Sequence, residues 1–303
     1  IKVAGSINVK NYTTLAAGSH TISLGGNLTI TTYGDFINGT STLELNGSEK
    51  QILSITPNRA LYNLTINNSS PTSPQIDLGS GIKVTGNLNL IKGKLHSTSS
   101  SRLILAGAKS TIGNADSYVI GEMERDGSGD FVFPIGSERG LAQIGISGTG
   151  ATSYFMVAEY RNSKPQAAGI LDEANVQKIS HLESWHLSNK NDIDAKLTLY
   201  WNDSEYSEIT NKDELLVAVL SGGKWYSYGF GGSTMSGDGK AGTVTSGNVI
   251  KIKKGSSTSS TMRQGVSRRT LASAPVALAD EGGVNVTFGT KRPDINPLPI
   301  ELI

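Results

Sequence analysis

The chain has no cysteine in 303 residues. Disulfides, thiolate metal centres and cysteine nucleophiles are thereby excluded together. Secretion is not excluded, because a chain of this length can bury enough apolar surface to fold without covalent staples. Charge is also scarce: 17% of residues are Asp, Glu, Lys or Arg, with 27 basic residues against 26 acidic. That balance leaves no net field to hold a polyanion, so no nucleic acid is expected as a partner. No apolar run approaches the roughly 20 residues of a membrane-crossing helix, and no membrane insertion is expected. Ile1 opens on a strand-like pattern with no basic leader ahead of it, as expected of a processed product or of a segment of something longer.

The 36 glycines, among many Ser, Thr and Asn, predict short strands joined by tight turns. Gly26-Asn27-Leu28-Thr29-Ile30 returns as Gly86-Asn87-Leu88-Asn89-Leu90. Thr42-Leu43-Glu44-Leu45-Asn46-Gly47 returns at the same offset as Arg102-Leu103-Ile104-Leu105-Ala106-Gly107. Ile22 and Leu24 likewise align with Ile82 and Val84. Alternating aliphatics place one face of each strand inward, and stacked units bury a continuous ladder. The expected fold is all-β. Residues 1–117 form a short β-solenoid-like repeat, with a plain sandwich as the alternative, and a β-sandwich domain follows over 118–254.

The second domain is read from Phe131 to Gly136, Leu197 to Trp201, Leu215 to Leu220, Lys224 to Tyr228 and Asn248 to Ile252, which have sandwich spacing. Residues 255–283 are Ser/Thr-rich with added arginines and read as a loop or excursion. Residues 284–303 hold a final strand, Val284 to Gly289, and a linker.

The tail Asn296-Pro297-Leu298-Pro299-Ile300-Glu301-Leu302 resembles the junction preceding the carboxy-terminal sorting domain in Bacteroidetes surface proteins exported by the type IX secretion system. Phe131 to Gly136, Glu183-Ser184-Trp185 and Leu197 to Trp201 resemble strands of the same group. Gly26 to Ile30 and Leu61 to Ser69 resemble repeats of its adhesin-like members. The resemblance implies passage through that secretion machinery, an extracellular or cell-surface location, and a tail formed by Pro297, Leu298, Pro299, Ile300, Glu301 and Leu302 that is linked to export or assembly. The sorting domain itself does not follow Ile303, and the resemblance assigns no catalytic residue.

No catalytic constellation is expected. Of four histidines, two lie in His181-Leu182-Glu183-Ser184-Trp185-His186. On a strand, His181, Glu183 and Trp185 share one face while His186 takes the other, so the histidines cannot jointly chelate an ion. Asp192 and Asp194 offer oxygen ligands suited to one structural calcium, although turn capping explains them as well; no other cofactor is expected. Trp201, Trp225, Tyr226 and Tyr228 are candidates for stacking on a surface glycan, with Tyr226 and Tyr228 opposite Trp225. Core packing better explains Trp185 and Trp201. The expected function is an extracellular structural or adhesive segment, with self-association into an oligomer or fibre through terminal strands. A carbohydrate-binding module is the alternative. A solenoid glycan-cleaving enzyme would need an acidic cluster that the repeats lack.

Overall fold

The computed structural model describes residues 1–56, 59–107, 109–163, 170–171, 175–221, 223–255 and 284–290. The stretch 256–283 and the tail Pro297 to Leu302 lie outside the described residues.

The first 126 residues wind into a solenoid of about six coils. Most coils lay one short strand on each of three faces. The first face stacks Lys2–Val3, Thr21–Leu24, Thr42–Leu45, Asn63–Asn67, Asn87–Lys92 and Lys109–Ser110 in parallel. The second runs from Ile7–Val9 through Gln51–Ile55 to Val119–Gly121, and the third ends on Leu103–Ala106 and Met123–Gly127. The inward residues pair in register as aliphatic columns. Ile22, Leu43, Leu64 and Leu88 form one, and Leu24, Leu45, Ile66 and Leu90 the next. All eight are buried, and each such side chain removes apolar surface worth about 1.5–3 kcal/mol.

The structural repeat is one coil, not the sixty-residue offset of the sequence matches. Leu28–Ile30 belongs to the second face, whereas its sequence match lies in Asn87–Lys92 on the first; Thr42–Leu45 is on the first face and its match Leu103–Ala106 on the third. Every strand obeys the same rule, apolar residues inward at alternate positions, so strands from different faces imitate one another in sequence.

The second part is a sandwich of two mainly antiparallel sheets, and it is not set apart from the solenoid at residue 117. Met123–Gly127 pairs in parallel with Leu103–Ala106 on one side and antiparallel with Tyr154–Arg161 on the other. Val119–Gly121 pairs onward with Ile135–Ser137. One sheet of 11 strands therefore begins in the solenoid and ends in the sandwich. The facing sheet joins Phe131–Phe133, Ile144–Ser147, Ile193–Trp201, Gly242–Ser246 and Phe230–Met235. A single hydrophobic cluster runs from Val9 to Phe288.

The strand Val284–Thr290 does not lie at the periphery. It fills the gap between Ser184–Asn189 and Leu215–Ser221, and the Phe288 ring meets Trp185 and Trp201 edge-on at 5.2 and 5.7 Å. Across the junction, the Arg102 guanidinium binds Glu122 and Glu124, and the buried Glu124 carboxylate takes Lys190 Nζ at 2.8 Å.

Candidate functional site

A cavity of about 650 Å³ opens where the last coils meet the sandwich. Lys94, Ala115 and Tyr118 reach it from the solenoid, and Arg139, Tyr160, Glu183, Trp201, Asp203 and Tyr206 from the sandwich.

Glu183 stands immediately before the strand Ser184–Asn189 and shares the inward phase of Trp185 and Leu187. Its carbonyl accepts the Thr287 hydroxyl at 2.6 Å, which ties the position to the central strand. The side chain is 2% exposed. Tyr160 Oη donates to Oε2 at 2.8 Å, while Oε1 is buried without a partner. Burial pushes the carboxyl above the usual glutamate range. Asp203 acts in the same direction, and hydrogen bonds from Ser207 and Tyr160 and the charge of Arg139 oppose it. The Tyr160 hydroxyl is in turn pushed up by burial and by Glu183.

Trp201 closes the strand Ile193–Trp201 and is 2% exposed, and its Nε1–H is a second buried group without a partner. Trp185, by contrast, donates its Nε1–H to the Ala142 carbonyl at 2.9 Å. The exposed Arg139 stacks on Tyr206, with the guanidinium carbon 3.5 Å from the ring centroid, and pairs with no carboxylate among the described residues. Tyr206 is held by its hydroxyl on Asn162 Oδ1 and on the Leu182 carbonyl. Asp203 Oδ1 caps the Tyr206 N–H at 3.0 Å, and Asn202 Nδ2 donates to the Leu141 carbonyl at 2.6 Å. Lys94 Nζ lies 5.2 Å from the Tyr118 ring centroid, and burial pushes that phenol up. The cavity thus combines aromatic walls, two orphaned buried polar groups and rim charges of both signs.

The structure places the expected glycan-stacking residues other than Trp201 elsewhere. Trp225 is fully buried in a small cluster with Leu216 and Ala218, while Tyr228 lies in the main core and Tyr226 packs against it. Trp225 and Tyr226 lie on opposite faces of the strand Lys224–Ser227, Trp225 buried and Tyr226 half-buried, and Tyr228 is buried just beyond the strand. Asp192 Oδ1 accepts the Lys254 N–H at 2.8 Å, and Oδ2 lies 3.7 Å from Lys253 Nζ. These interactions, the backbone hydrogen bond first, hold Asp192 below the usual carboxylate range. Asp194 is exposed beside Lys251 on the neighbouring strand. Among the described residues no group of three or more His, Asp or Glu is placed to hold a metal ion. His181 lies 3.8 Å from Glu208 and is exposed, apart from the buried Glu183.

The sequence sets Glu183 on one strand face with His181 and Trp185 and does not reveal its partners. The available signal was its phase: a carboxylate two residues before Trp185, on the buried side of an alternating strand. Arg139, Tyr160 and Tyr206 carried no local signal, because sheet pairing and loop packing bring them in from distant parts of the chain. Compared with known proteins, the chain matches no family model, and neither a curated protein nor a solved structure matches it.

Proposed function

We propose that this chain is an extracellular structural and adhesive segment of a bacterial surface protein, a stiff β-stalk fused to a sandwich that presents a ligand-binding cavity. The observation that carries the reading is the strand Met123–Gly127, parallel to the solenoid on one edge and antiparallel to the sandwich on the other. A hinge needs a junction crossed by few contacts. Here hydrogen-bonded sheets and an unbroken core cross it, and Glu124 adds an ion pair from either side. Such a body transmits force and holds a surface at a set distance. The resemblance of the repeats and of the tail to type IX-exported adhesins supports the same reading, as does a composition poor in charge and rich in Ser, Thr and Asn. The chain acts by display and adhesion rather than by catalysis, and its partners are the secretion machinery during export and a surface ligand afterwards.

The reading is tested on the cells that make the protein, with antibody raised against residues 1–254. Intact cells are expected to label, to lose the label on brief external proteolysis, and to adhere less when the segment is deleted. Labelling only after permeabilisation would overturn it.

A second reading, a carbohydrate-binding module, is favoured by one observation, the polar and aromatic lining of the junction cavity.

A further inference from the structure

We infer that the junction cavity binds the uncharged end of a glycan, with Glu183 and Trp201 at its floor and Arg139, Asn202 and Asp203 at its rim. This adds a ligand to the display role proposed above and rests on the cavity alone.

Glu183 and Trp201 are each 2% exposed; Trp201 Nε1 finds no partner, and the Glu183 carboxyl, served by Tyr160 on Oε2 and by Ser207, keeps Oε1 without a hydrogen bond of ordinary geometry. A buried polar group without a partner forfeits its hydrogen bond to water and gains none in return. Both groups line the same cavity, so one occupant can relieve both. Glu183 is held in place for this: Tyr160 Oη fixes Oε2 at 2.8 Å and Thr287 anchors the backbone at 2.6 Å.

The ligand class follows by elimination. A wholly apolar molecule would leave both groups unpaired. A phosphorylated or multiply anionic ligand would meet the Asp203 carboxylate, and a multiply cationic one would meet Arg139 and Lys94. A neutral polyol suits the set, because each hydroxyl both donates and accepts: it can take the indole N–H, and it can exchange hydrogen bonds with a carboxyl in either protonation state. Four aromatic side chains, Tyr118, Tyr160, Trp201 and Tyr206, supply faces or edges for the C–H surfaces of a sugar ring. Arg139, stacked on Tyr206 at 3.5 Å, keeps its N–H edges for ring or hydroxyl oxygens. The volume of about 650 Å³ falls within the roughly 300–1,000 Å³ usual for small-molecule sites, enough for about two sugar rings. The position between two packed parts is likewise usual for such sites.

The test is saturation-transfer NMR on the full chain with free neutral hexoses and N-acetylhexosamines, followed by titration of any that respond. Glucose 6-phosphate and glycine serve as anionic and zwitterionic comparisons. At least one neutral sugar is expected to bind saturably, with affinity falling about tenfold or more in Arg139→Ala and in Glu183→Gln. Arg139 lies at the exposed rim, so its variant reports on binding even if the buried substitution disturbs folding. Binding that neither variant changes would place the sugar elsewhere and overturn the assignment. Response only to the phosphate ester or to glycine, or no response to any probe, would overturn the ligand class and leave a solvent-filled junction. None of these outcomes depends on cell-surface labelling, so the two proposals can fail separately.

Discussion

Glu183 keeps its proton to a higher pH in the fold than in the unfolded chain, where it titrates near the ordinary 4.5. Above that value the folded state therefore binds more protons than the unfolded one, and Glu183's contribution to stability declines as pH rises through its folded pKa. Glutamine in its place does not titrate. The melting temperature of Glu183→Gln minus that of the parent is accordingly expected to grow from about pH 4 to about pH 8, as read by thermal unfolding across that range; a flat difference would contradict the raised pKa. Glycine supplies a second residue-scale test. Gly107 and Gly121 both have positive φ, 69° and 92°, but a Cβ at Gly107 meets nothing within 4 Å while one at Gly121 falls 2.0 Å from the Ser97 carbonyl oxygen. Gly107→Ala is expected to cost about 1–2 kcal/mol, the backbone preference alone. Gly121→Ala is expected to cost at least about 2 kcal/mol more, because the coil above must move. Urea denaturation of the two variants side by side measures the difference.

At the scale of elements, the solenoid is held by aliphatic columns and by two buried amides, Gln51 and Asn68, that those columns do not explain. Gln51 is fully buried on the second face. Its Nε2 donates to the Leu24 carbonyl at 2.9 Å and to the Gly26 carbonyl, and its Oε1 accepts the Gly47 N–H at 3.0 Å and Asn68 Nδ2 at 2.8 Å. One side chain thus satisfies turns belonging to neighbouring coils. Gln51→Leu keeps the volume but strips the partner from Gly26 and Gly47. It is expected to lower stability by about 2–4 kcal/mol, seen as a lower urea midpoint with unchanged slope. Strand positions, inward phase and glycine punctuation were legible in the sequence because each depends on two or three neighbouring residues. The sixty-residue offset misled for the same reason: strands on different faces meet the same local demand and look alike. Tyr226 and Tyr228 were set opposite Trp225 in the sequence, and local alternation states only that two faces differ. The burial of Trp225 and Tyr228 was decided by the layers packed on either side.

At the scale of the whole molecule, all three tryptophans, Trp185, Trp201 and Trp225, lie in the sandwich, whereas far-ultraviolet circular dichroism reports on both parts. Since one sheet and one core cross the junction, the fluorescence and dichroism midpoints in denaturant are expected to coincide. A fluorescence transition well ahead of the dichroism change would show two independent units and would weaken the rigid-stalk reading. By itself the sequence determined the all-β class, the coiled repeat ahead of a sandwich, the absence of thiol chemistry and the core roles of Trp185 and Trp201. These follow from composition and from patterns of alternation, which are local. Only the tertiary structure decided that Val284–Thr290 fills the centre of its sheet, that no break falls at residue 117, and that Arg139, Tyr160, Glu183, Trp201 and Tyr206 surround one cavity. Those are facts of pairing between residues far apart in the chain, and hydrogen-bonded strands accept any partner with a matching edge and apolar face.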